Sequence, residues 1–186
     1  MQKIILASQS PRRKEILEAM GVEFEVVPSD FDEQLDESRD VNEVACELAL
    51  GKALAVARKH PDAYVIGSDT IVAYDGNQLG KPSTPEEAFD MLKMLQGTTH
   101  QVVTGVAVVC LDAGHEDVRA DVTSVVFKVS TDEQLREYIA TGDPYDKAGG
   151  YGIQSKGRFL LDHYEGDYET IIGLPSKVLG EMLGAI

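Results

Sequence analysis

A chain of 186 residues, 43% of them hydrophobic, is long enough to bury one sizeable core and too apolar to be a disordered polymer. Its formal net charge of −15, from 17 basic and 32 acidic residues, counts against a non-specific nucleic-acid binder, which must neutralise phosphates with positive charge. No apolar run approaches the roughly 18 residues of a membrane span, and Ile4, Ile5 and Leu6 form too short a run for a signal peptide. Cys46 and Cys110, each in an apolar context, point to core positions and a reducing compartment, so a cytoplasmic protein is expected.

In chain order, residues 3–7 (KIILA) read as a short buried strand. Ser10 suits an N-cap and Pro11 the first helical position of a helix to about Met20, stopped by Gly21. VEFEVVPSD alternates and reads as a strand ending near Pro28, and the acidic stretch 30–40 reads as a surface loop. An amphipathic helix is predicted from about Val41 to Lys59, then the strand YVIGSD and the segment TIVAYDGNQLG, with Asp75-Gly76 as a hairpin turn. Thr84-Pro85-Glu86-Glu87 has the form of a capping box, opening a helix to about Leu95. HQVVTGVAVVCL and VRADVTSVVFKV predict an antiparallel pair, and Thr131 with Gln134 caps a helix over 132–140 that Gly142 ends. DPYDKAGGYGIQSKG reads as a glycine-rich loop, RFLLDHY and YETIIGL as strands, and Pro175 as the start of the last helix. This mixture defines an α/β protein with a mixed sheet and no internal repeat.

Several residues break their own pattern. SQSPRR, residues 8–13, runs from strand into helix, where unpaired backbone N–H groups and the helix dipole face an anion. Ser8, Ser10, Arg12 and Arg13 could hold phosphate oxygens there; otherwise they form a capped helix start with solvated arginines, although positive charge in a first turn costs about 0.3–1 kcal/mol per residue. Lys52 falls on the apolar stripe of Val41, Ala45, Leu48 and Val56, so it either snorkels to solvent or turns inward and needs an anionic partner. Asp69 interrupts a buried strand at Gly67-Ser68-Asp69, as a turn former or as a carboxylate beside a glycine that admits a ligand. Glu33, among Asp30, Asp32, Asp36 and Glu37, could supply an oxygen ligand to a hard divalent cation or be part of a solvated loop. Lys81 follows a hairpin, and Asp146, Lys147 and Gln154 surround the glycines of the late loop. The four histidines, at 60, 100, 115 and 163, lack ligand spacing, and neither a GxSxG nor a Walker motif occurs. Arginines, lysines and carboxylates in this inventory suit metal-assisted chemistry on a nucleotide polyphosphate.

LASQSPRRKEIL, the acidic pair at 32–33, the Lys52 helix, GSDTIV, LGKP, HQVVTGV, DKAGGYGIQSKG and IIGLP together resemble the Maf-like nucleoside triphosphate pyrophosphatases, over essentially the whole chain. The resemblance implies one domain over 1–186 with an inosine-triphosphatase-like fold: an elongated mixed sheet flanked by helices, in two lobes around a cleft. It implies hydrolysis of the α–β phosphoanhydride of a nucleoside triphosphate with a divalent metal, Mg²⁺ or Mn²⁺. Asp69 then matches the proton acceptor, and Glu33 is a candidate metal ligand or partner carboxylate beside it. Lys52 and Lys81 match phosphate-contacting lysines, Ser8, Arg12 and Arg13 the phosphate loop, and Arg12, Thr70 and Gln154 positions tied to base specificity. The DTIV and YGIQ versions resemble the subgroup acting on dTTP and UTP; the alternatives are 7-methyl-GTP hydrolysis or a division regulator with incidental turnover. The resemblance also implies a nucleotide-pool cleaning role, an association with septum inhibition and a homodimer, with no nucleic-acid or membrane partner.

Overall fold

The computed structural model describes residues 2–186, which divide into two compact units. The first comprises the chain up to Asp69, Thr104–Asp121 and Gly173–Ile186; the second comprises Thr70–Val103 and Val122–Ile172. One seven-stranded sheet contains every strand of the molecule among the described residues.

In the first unit, β1 (Ile4–Leu6) pairs in parallel with β2 (Glu25–Val26) and with β3 (Tyr64–Tyr74), placing Ile5 opposite Glu25 and Val65. Parallel strands are buried on both faces, and Ile5, Leu6, Val65 and Ile66 are fully buried. β2 is far shorter than VEFEVV suggested, an exposed edge of two residues. Helix α1 (Pro11–Ala19) starts as expected, with Ser10 as N-cap, and Gly21 follows it at φ 72°. Helix α2 (Val41–Ala57) is capped by Asp40, whose carboxylate accepts from the N–H groups of Asn42 (2.9 Å) and Glu43 (3.3 Å).

The seating of α2 depends on very small residues. Ala45, Ala49, Ala53 and Ala57, spaced by four, form a buried stripe. Opposite them are glycines in two strands, β3 and β5 (Thr99–Cys110). A Cβ on Gly67 would meet the Ala49 carbonyl and lie 2.8 Å from the Ala53 nitrogen; one on Gly105 would meet the Ala45 carbonyl and lie 2.8 Å from the Cys46 nitrogen. Helix and sheet backbone therefore touch directly. Cys110 is buried as expected, while Cys46 is only half-buried.

In the second unit, β3 continues and turns at Asp75 (φ 49°) and Gly76 (φ 79°) into β4 (Asn77–Leu79), which pairs antiparallel with it. Positive φ at both central residues is the hairpin geometry that an Asp-Gly sequence favours. Helix α3 (Pro85–Leu95) is capped by the Thr84 hydroxyl, but the Glu87 carboxylate accepts from the Ser83 N–H (2.7 Å), so the cap is not reciprocal. β5 and β6 (His115–Phe127) are sheet neighbours joined by a four-residue turn, which permits only the antiparallel arrangement. Helix α4 (Asp132–Ala140) has the full capping box of Thr131 and Gln134, and β7 (Leu161–Glu165) pairs antiparallel with β6.

YETII is a helix, α5 (Tyr168–Ile172), not a strand. The Thr123 hydroxyl holds both the carbonyl and the N–H of Asp167 at 2.9 Å, and the Asp167 carboxylate accepts from the Glu169 N–H at 2.9 Å. That local turn opens a helix despite the β-branched run. Helix α6 (Ser176–Leu183) follows Pro175. Among the described residues, no helix is long and apolar enough to cross a membrane.

Gly67→Ala is expected to lower stability by at least the roughly 1–3 kcal/mol of an overpacked core, because the clash is with backbone that cannot rotate away. Urea unfolding of the variant checks this; an unchanged midpoint would show that α2 does not need the glycine.

Candidate functional site

The first unit gathers most of the anomalous residues. Ser8, which follows the buried end of β1, is itself buried. Its hydroxyl oxygen accepts from the Ser10 N–H (3.2 Å) and from Arg13 Nη1 (3.3 Å), while Ser10 Oγ accepts from the Arg13 N–H at 3.5 Å. Arg13 Nε donates to the Gly173 carbonyl at 2.7 Å. The same carbonyl accepts from Ser68 Oγ at 2.9 Å, and that hydroxyl also reaches the Gly105 carbonyl at 2.9 Å. Arg13 is therefore bound at two faces of its fork rather than waving in solvent. Burial draws its pKa below the ordinary value, against the pull of the Asp69 carboxylate; Arg12 lowers it further and Glu33 raises it. An arginine remains protonated under such shifts. The four charges thus lie in one electrostatic field.

Lys52 does not snorkel. Its residue is 6% exposed, as is Asp69. The Lys52 ammonium donates to Asp69 Oδ1, and its second partner is Glu33 Oε1 at 2.8 Å. The close seat of α2 explains the contact. Ala49 and Ala53 bracket Lys52 in the helix and press on Gly67, and Asp69 projects from the same strand face two residues later. Asp69 is not at a strand end: β3 runs through it without a break. Glu33 comes from the segment between β2 and α2, and its side chain is 41% exposed.

Two carboxylates and one ammonium therefore converge, with oxygen donors of the kind hard cations take. Among the described residues there is no group of three His, Cys, Asp or Glu side chains able to enclose a metal ion. An ion held by one or two carboxylates and completed by substrate phosphates fits this donor set; a closed protein cage does not.

Thr70, Lys81 and Gln154 belong to the second unit. Thr70 follows Asp69 along β3 and so points to the opposite sheet face. Lys81 and Gln154 are exposed. Their motifs are joined, since the Gly149 N–H donates to the Gly80 carbonyl at 3.0 Å. Gly149 has φ 67°, and a Cβ there would stand 2.9 Å from Val72 Cγ2. The rest of the loop is fixed by Asp143, whose Oδ2 accepts from Tyr138 Oη (2.7 Å) and Ser155 Oγ (2.6 Å). Lys147 Nζ donates to the Asp143 carbonyl (2.7 Å), to its Oδ1 (3.2 Å) and to Asp146 Oδ1 (2.6 Å). Burial alone would raise the Asp143 pKa; hydrogen bonds from Ser155 and Tyr138 and the Lys147 charge outweigh it and hold the group low. Tyr151 in this loop bonds His100 Nε2 at 2.8 Å, and burial lowers the His100 pKa to about 4, leaving it neutral near pH 7. Lys147 and Asp146 thus shape the loop.

Sequence reasoning missed Ser68 and Gly173, which lock Arg13 through a shared carbonyl. The only hint in the sequence was a serine inside a buried strand, at Gly67-Ser68-Asp69.

An α/β protein with a basic helix start sharing the field of a buried ammonium and two carboxylates is equipped to handle an anionic substrate. The chain belongs to the Maf-like protein family, which it matches over residues 3–186. It is 46% identical to the dTTP/UTP pyrophosphatase of a Geobacillus species over 175 residues, 94% of this chain and 93% of that relative. Against the dTTP/UTP pyrophosphatase of Bacillus cereus the identity is 46% over 183 residues, 98% of this chain and 95% of that protein. Among solved structures, the Ham1 protein of Staphylococcus aureus aligns with TM-score 0.47 and 19% identity, over 68% of this chain and 72% of its own.

Lys52→Met is expected to cost about 3–5 kcal/mol, because it strands the Asp69 carboxylate in the interior. The Lys52→Met/Asp69→Asn double variant should recover most of that loss, since no buried charge then lacks its partner. Urea unfolding of the two single variants and the double variant tests the coupling; simply additive costs would contradict it.

Proposed function

We propose that the chain hydrolyses the α–β phosphoanhydride of dTTP and UTP, releasing the nucleoside monophosphate and pyrophosphate. The observation that carries this reading is the Lys52 ammonium, buried and held by Asp69 and Glu33 in the electrostatic field of Arg13. The names of the relatives supply the substrate. Asp69 and Glu33 are the residues to hold a divalent cation, Mg²⁺ or Mn²⁺. When bound, such an ion supplies charge stabilisation of the phosphate oxygens and a lowered pKa of bound water.

The chain's own residues supply the rest. Asp69 is the base that takes a proton from the attacking water as its oxygen bonds to the α-phosphorus. The bond from that phosphorus to the bridging oxygen breaks, the pair stays on the leaving pyrophosphate, and the proton passes from Asp69 to solvent. Lys52 transfers its hydrogen bonds from carboxylate to phosphate oxygens, where charge accumulates. Ser8, Ser10, Arg12 and Arg13 bind phosphate at the start of α1. Within the second unit, Lys81 is the residue to contact phosphate and Gln154 the one to read the base. A carboxamide offers one donor and one acceptor, which matches adjacent N3–H and carbonyl groups of uracil and thymine. Modified pyrimidine triphosphates, pool cleaning in the cytoplasm and a link to septum formation extend the same proposal.

Asp69→Asn should fold and lose about 10²–10⁴ in rate, the usual worth of a general base. With dTTP and Mg²⁺ the product should be pyrophosphate and not orthophosphate. Chromatography of the products and kcat for the variant check both; a folded variant with near-native turnover removes Asp69 from the chemistry. Across a panel, kcat/KM should be highest for UTP and dTTP and lower for CTP by roughly 5–150-fold, the effect of a buried donor facing a donor. A best rate on 7-methyl-GTP would overturn the pyrimidine assignment while leaving pyrophosphate release intact.

A further inference from the structure

Residues 27–40 contain neither helix nor strand, yet the segment is laid along α2 at several points. Lys59 Nζ meets Asp30 Oδ2 at 3.0 Å, Glu33 reaches Lys52 at 2.8 Å, and Arg39 pairs with Glu43 at 3.7 Å and with Glu47. Its path runs opposite to the helix, from the Lys59 end towards the Glu43 end. The outer pairs are exposed ion pairs, which contribute little and do not define a register.

The apolar contact between them is different. The Phe31 ring lies on Gly51, where a Cβ would stand 2.7 Å from Cε1 and closer still to Cζ. Phe31 precedes Glu33 by two residues, and Gly51 directly precedes Lys52. Glycine is a poor choice inside a helix, and Gly51 stands in mid-helix between Leu50 and Lys52, far from either end of α2. The notch it leaves has a visible use: it admits the ring tip.

We propose that Phe31 and Gly51 are positioning residues, the ring seated in the side-chain-free notch of α2 setting the register that delivers the Glu33 carboxylate to Lys52. The inference rests on the reading of Glu33 given above and names what holds it in place. Neither residue touches the reacting atoms. Because the obstructed atoms are the end of a side chain on an exposed segment, a methyl group at 51 would push the ring out at small cost to the fold.

The test uses the full chain with dTTP and Mg²⁺, and compares Gly51→Ala, Phe31→Ala, the double variant and Glu33→Gln. Gly51→Ala should keep Tm or raise it by about 2–4 °C, through better helix propensity. Hydrogen–deuterium exchange over residues 27–40 should rise, and kcat should fall about 10–100-fold, the usual range for residues that orient a ligand, with KM for dTTP little changed. Phe31→Ala should reproduce these effects, and the double variant should lose no more than either single one, since both remove one contact. Unchanged exchange over 27–40 in Gly51→Ala, or additive losses in the double variant, would overturn the seat. Native kcat in Gly51→Ala with impaired Glu33→Gln would overturn the positioning role alone. Native kcat in Glu33→Gln would overturn the reading of Glu33 itself.

Discussion

The direct contact of α2 with the sheet backbone governs the rest of the first unit. Glycines at 67 and 105 remove the side chains that would hold the helix away, and an alanine stripe removes those on the helix. At ordinary separation a lysine at position 52 would have room to bend towards water. At this separation its ammonium is enclosed, and burial of a charge without a partner would cost several kcal/mol. The carboxylate two residues beyond Gly67 is in place to answer that need, and Glu33 adds a second, more exposed one. A packing decision made by four small side chains thus creates a charged cluster in the interior.

The same cluster explains how a protein of net charge −15 could take a polyanion. Overall charge sets the long-range field, but binding is decided where cations are fixed. Arg13 is fixed by Ser8 and by the Gly173 carbonyl, which Ser68 also holds. Ser10 caps the helix whose N-terminus carries both arginines. Positive charge there opposes the dipole until an anion arrives. The two carboxylates balance the cations in the absence of substrate, and in the proposed cycle a phosphate and its metal take over those roles.

Much of this was legible because the signals are local. Ser10-Pro11, Asp75-Gly76 and the Thr131–Gln134 box each satisfy their own backbone groups within a few residues, and the elements begin or turn where they stand. Lys52 was legible as a problem, since a charge on an apolar stripe demands an explanation, but its partners lie in other elements. Asp69 looked like a strand end for the same reason. β3 continues because Ser68 finds two carbonyls and Asp69 finds Lys52, and neither is near in sequence. YETII misled because β-branched composition says strand, whereas Thr123 and Asp167 build the turn that starts a helix. The Phe31–Gly51 contact was hidden in an acidic loop whose single aromatic had no periodicity to mark it.

In the proposed cycle the Lys52 ammonium is held by the buried Asp69 carboxylate and the more exposed Glu33 carboxylate, and is released to the triphosphate. ¹⁵N NMR of the lysine ammonium groups tests it most directly, in the free protein and with Mg²⁺ and an α,β-imido analogue of dTTP. One slowly exchanging ammonium signal is expected, absent in Lys52→Met, altered in Asp69→Asn and shifted when the analogue binds. An ammonium at Lys52 that exchanges as fast as the surface lysines and ignores the analogue would contradict the proposed cycle.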